Sequence, residues 1–67
     1  MAVLKVIELM AASEKSWEEA AQVALKTASK TVKGIRSIYV QDMSAVVKDN
    51  NIKEYRLNVK VSFEILE

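Results

Sequence analysis

A chain of 67 residues with 51% hydrophobic and 28% charged side chains and no proline reads as one folded domain over residues 1–67, because a second would need about 100–200 residues of its own. Ten basic against nine acidic side chains leave a net charge of +1, which argues against a protein that lives by coating nucleic-acid phosphates. The absence of cysteine and histidine excludes thiolate nucleophiles, imidazole bases and the usual zinc sites, and it removes disulfide or zinc staples. Folding at this length buries only about 60% of the unfolded chain's surface, so association with further copies is the remaining route to a larger buried area.

Ala2 to Met10 reads AVLKVIELM, and its density of branched aliphatic residues predicts a first strand, largely covered on both faces. The apolar stretch from Ala2 to Ala12 is broken by Lys5 and Glu8 and falls far short of the roughly 20 residues of a membrane helix. With no leader visible, a cytoplasmic location is the expectation. Ala11 to Lys15 reads as a polar connector. In Ser16-Trp17-Glu18-Glu19 the serine hydroxyl can accept from the Glu19 N–H while the glutamate reaches back, a capping box that starts a helix at Trp17. Trp17, Ala20 or Ala21, Ala24, Leu25, Ala28 and Val32 then recur at spacings of three and four, predicting one core-facing stripe. Glu18 and Glu19 at the start and Lys30 and Lys33 at the end suit the helix dipole, and Gly34 is placed to stop the helix near Lys33.

Ile35 to about Val47 is β-rich and too long for a flat strand, so a bend is expected near Ser44-Ala45. Lys48-Asp49-Asn50-Asn51 supplies turn formers that tolerate left-handed backbone. The last segment alternates without a break: Tyr55, Leu57, Val59, Val61, Phe63 and Ile65 on one face, Glu54, Arg56, Asn58, Lys60, Ser62 and Glu64 on the other. The fold class is therefore α+β, in the order strand, helix, strand, strand, with the last two strands an antiparallel hairpin. One helix covers one sheet face and leaves the polar set bare. Ile38 and Val40 fit the helix side, which puts Ser37, Tyr39, Gln41 and Met43 beside the polar set, on a surface suited to a subunit interface or a binding site.

The chemistry left to such a chain is limited. Ser13, Ser16 and Lys5 could in principle form a serine–lysine nucleophile pair, or the Glu residues a carboxylate dyad, but none has an instructive spacing and Ser16 is accounted for as a cap, so no enzyme is expected. A single glycine excludes both common glycine-rich phosphate loops. Carboxylates are the only hard metal ligands, with Asp42, Asp49, Glu8 and Glu64 placed on strands or turns and in no EF-hand spacing. Trp17 is expected to pack on the strands. Arg56 and Lys60 on the bare face are expected in ion pairs, with anion binding as the alternative.

Taken in order, Lys5-Val6-Ile7-Glu8-Leu9, Ser13, Trp17-Glu18-Glu19-Ala20, Ala28-Ser29-Lys30-Thr31-Val32, Gly34-Ile35-Arg36 and Tyr55 through Lys60-Val61-Ser62-Phe63 give the chain a resemblance to the dodecin family over essentially its whole length. The resemblance implies a hollow homododecamer in which each antiparallel sheet wraps its own helix, and a role in sequestering small molecules, typically flavins, with no reaction. Flavin-binding members carry a tryptophan early in strand two that stacks on the isoalloxazine ring, and a glutamine on the last strand that bonds its edge. Here those positions hold Ser37 and Arg56. Serine has no π face, so a stacking contribution on the order of 1 kcal/mol or more is missing and weak flavin binding is expected. Tyr39, two residues along the same face, is the aromatic that remains. The stretch Gln41-Asp42-Met43 looks more like the branch that lacks this tryptophan and is associated with calcium, which implies a divalent cation. Asp42 is its candidate ligand because it is the only acid in that stretch, and symmetry could amplify a weak site, since a carboxylate near a threefold axis is presented three times to one ion. The implied partners are further copies and a small ligand or metal ion, with no nucleic acid and no membrane. A ligand-free assembly protein is the alternative of a different class.

Overall fold

The computed structural model describes residues 3–65. Its elements run β1 (Leu4–Ser13), α1 (Trp17–Ala28), β2 (Ile35–Lys48) and β3 (Asn51–Glu64). They form a three-stranded sheet of order β1-β3-β2 in which both pairings are antiparallel. The expected strand-helix-strand-strand order and α+β class hold, and the strand with the strongest alternation, β3, lies in the centre.

Strand β1 runs three residues past Met10, while Ala2 lies outside the described residues. Ala11, Ala12 and Ser13, expected as connector, pair with Leu57, Arg56 and Tyr55. Ala11 is small enough to lie buried under the helix, and the buried Ser13 hydroxyl accepts from the Lys15 N–H at 2.9 Å, which turns the chain toward α1. The strand is covered on one face and not on both: Val6 and Met10 keep 54% and 65% of their surface exposed.

The serine half of the expected capping box forms, Ser16 Oγ accepting from the Glu19 N–H at 3.0 Å, while the Ser16 N–H donates to Ser13 Oγ at 3.4 Å and not to the Glu19 carboxylate. The helix then ends at Ala28, five residues before Lys33, because a tight turn takes over: the N–H groups of Lys30 and Thr31 donate to the carbonyls of Thr27 and Ala28, each at 3.2 Å. The Ser29 hydroxyl donates to the Lys26 carbonyl at 2.7 Å and so satisfies one of the helix's last acceptors. Gly34 has the expected positive φ, +75°, but uses it to enter β2, where its carbonyl accepts from the Glu64 N–H at 3.1 Å.

Ala20, Ala24 and Ala28 form the buried stripe of α1, and their small side chains let the helix lie close over Leu57, Val59 and Val61, the largest fully buried side chains. The helix packs chiefly on β1 and β3. The helix-side surface of β2 is consequently open along much of its length, and Met43 is 59% exposed. Asp49 and Asn50, at φ 54° and 63°, form the two-residue turn that closes the hairpin at Lys48 and Asn51. The bend expected at Ser44-Ala45 is absent there. The register shifts instead between Ile35 and Ser37, between Val40 and Asp42, and between Val46 and Val47. None of the described helices is long and apolar enough to cross a membrane.

Candidate functional site

The register fixes what the sheet shows on the face away from α1. Because Leu57, Val59 and Val61 point to the helix, Arg56, Asn58, Lys60 and Ser62 point away from it, and their partners do likewise. Across the sheet from β1 to β2 the rows read Val6, Ser62, Ser37; then Glu8, Lys60, Tyr39; then Met10, Asn58, Asp42; then Ala12, Arg56, Ser44. Ser37, Tyr39, Asp42 and Arg56 therefore lie on one face, in four consecutive rows.

Asp42 reaches that face through a bulge. Val40 pairs with Val59 and Asp42 with Asn58, so Gln41 is an extra residue with no partner of its own and the alternation of β2 inverts there. Strict alternation from Tyr39 would have put Asp42 on the helix side. Met43, expected beside the polar set, instead opposes buried Leu57 on the helix side, and Gln41 holds no place in a row. Asn58 and Ser44, which complete the surroundings of Asp42, follow only from this shifted pairing.

The charges on the face are largely paired. Lys60 Nζ lies 3.9 Å from Oε1 of Glu8, its register partner, and Arg56 Nε donates to Glu54 Oε1 at 2.6 Å along the same strand. Arg36 pairs with Glu64, and the hydroxyls of Ser37 and Ser62 bond each other. Tyr39 is 64% exposed, with its ring free to meet a ligand. Ser13 and Lys5 sit at opposite ends of β1, so no serine–lysine pair forms. Among the described residues there is no pocket and no group of three or more acidic side chains that could hold a metal ion. Within one chain Asp42 and Asn58 offer at most three hard oxygen donors, two carboxylate oxygens and one amide oxygen, against the six to eight or so that calcium takes.

The dodecin family model matches residues 3–66. The dodecin of Thermus thermophilus is 32% identical over 65 residues, which are 97% of this chain and 94% of that one. The calcium dodecin of Mycobacterium tuberculosis is 35% identical over 65 residues, 97% of this chain and 92% of its own. A crystal structure of a T. thermophilus dodecin variant superposes with a TM-score of 0.95 at 31% identity over 100% of both chains. The crystal structure of the M. tuberculosis calcium dodecin, described as calcium chelating and as having a calcium-binding site, superposes with a TM-score of 0.83 at 34% identity over 96% of this chain and 91% of that one.

Proposed function

The chain belongs to the dodecin family, and from that premise we propose that copies of it close into a hollow homododecamer that binds and holds a small ligand or ion and catalyses no reaction. The observation that carries this reading is the sheet face away from α1, on which Ser37, Tyr39, Asp42 and Arg56 lie in consecutive rows. A face that is open in one chain becomes an enclosed site once neighbouring copies cover it, and the exposed Val6 and Met10 on that face supply apolar surface for such contacts.

Among ligands, a divalent cation fits the residues better than a flavin. Ser37 is engaged with Ser62 and presents no ring to stack on, while Asp42 and Asn58 are hard oxygen donors brought side by side by the bulge. The remaining donors would come from symmetry-related copies and water. Membership of a family that includes a protein described as calcium chelating supports the same choice.

Native mass spectrometry of the purified protein, followed by calorimetric titration with calcium chloride and with riboflavin, tests both parts. Twelve chains of 7.5 kDa should give an assembly of about 90 kDa. Calcium should bind saturably and riboflavin weakly. A monomer or dimer would overturn the shell, and an intact dodecamer that binds no flavin, anion or divalent cation would leave a scaffold in its place.

A further inference from the structure

By position, Asp42 ought to have a salt-bridge partner. In an antiparallel ladder a side chain reaches the residue opposite and its two diagonal neighbours, about 7–8 Å away and within range of long side chains. Opposite Asp42 stands Asn58, and the diagonals on β3 are Arg56 and Lys60, both cations. Neither pairs with it. Arg56 is bonded to Glu54 at 2.6 Å, two residues farther from Asp42 along β3, and Lys60 leans at 3.9 Å toward Glu8 on the far strand β1. Each cation is thus held from the side away from Asp42, which enters no ion pair among the described residues.

We infer that Glu54, with Glu8 in a lesser part, is a positioning residue that sets the charge specificity of this face: by holding Arg56 away, it leaves the Asp42 carboxylate free for an external divalent cation. The inference rests on the Asp42 reading proposed above. An arginine turned onto Asp42 would be a tethered competitor, present at the high effective concentration of any intramolecular ligand and occupying the oxygens a metal needs. Glu54 carries the larger part because its contact is shorter and its side chain is less exposed, 30% against 68% for Glu8.

The test compares Glu54→Gln, Glu54→Gln with Arg56→Gln, Asp42→Asn and Glu64→Gln in the assembled protein, by calcium calorimetry and by a calcium-free crystal structure of the first variant. Glu64→Gln removes the same charge but frees Arg36, which lies on the strand of Asp42 and is no diagonal neighbour of it. The expected result is a Glu54→Gln structure with the guanidinium on Asp42, and calcium affinity weakened about two- to fivefold, the range of exposed ion pairs. Adding Arg56→Gln should restore the affinity, and Glu64→Gln should leave it near the native value. Equal weakening in Glu54→Gln and Glu64→Gln would overturn the inference in favour of a general field effect, as would an Arg56 that stays beside residue 54. If Asp42→Asn leaves calcium binding intact, the Asp42 reading fails separately, and the crystal structure still decides whether Glu54 restrains Arg56.

Discussion

The indole Nε1 of Trp17 donates to the carbonyl oxygen of Ser44 at 2.8 Å, so the first residue of the helix is tied to β2 at the row that carries Arg56. Its ring also meets Tyr55 edge-on, with centroids 4.8 Å apart and planes at 77°, and the hairpin is thereby gripped on both strands. Trp17→Phe removes the donor and keeps most of the apolar ring, and should cost about 0.5–1.5 kcal/mol. Trp17→Ala loses the packing as well, at about 2–3 kcal/mol for a half-buried aromatic. Chemical denaturation at one fixed protein concentration measures both; a Trp17→Phe variant as stable as the native chain would show that the hydrogen bond contributes nothing, and equal losses in the two variants that the packing does not.

Asp42→Ala tests the proposed cation ligand through stability. A metal that binds only the folded assembly raises its melting temperature, and the variant should lose that calcium-dependent rise while melting normally without calcium. An undiminished rise would move the cation to other donors.

Flavin binding should strengthen when Ser37 and Arg56 are replaced by the tryptophan and glutamine that the family resemblance implies for these places. Ser37→Trp with Arg56→Gln should quench riboflavin fluorescence at concentrations at which the native chain quenches weakly, each aromatic contact adding about 1 kcal/mol. Micromolar or tighter quenching by the native chain would show that Tyr39 already supplies an adequate platform.

Gly34→Ala isolates a backbone effect. A Cβ there would meet only Glu64 backbone atoms at 3.7 and 3.9 Å, ordinary contact distances, so the cost comes from the φ of +75° alone. It should be about 1–2 kcal/mol, read from the shift in denaturation midpoint. A loss above this range would mean that the entry to β2 rearranges.

Central strand β3 is legible in sequence because it is buried on one face only, and that asymmetry writes itself as a period of two from Tyr55 to Phe63. The start of α1 is legible because a cap needs particular side chains at a fixed spacing, as Ser16 and Glu19 show. Its end is not, since a glycine with positive φ serves a helix stop and a strand entry equally, and Gly34 serves the second. The placement of Ser37, Tyr39 and Arg56 follows from simple alternation. That of Asp42 does not, because the extra residue Gln41 carries no compositional mark and shows itself only in the pairing with β3.

That bulge gives β2 one place at which its length can change without re-sorting its faces. Loss of the single codon for Gln41 would let Asp42 follow Val40 directly and still meet Asn58, so that Asp42, Met43 and Ser44 would keep their present faces and only the local irregularity would go. Lineages built on this fold can thus shed the extra residue in one in-frame deletion and leave the polar and apolar faces of the strand as they are.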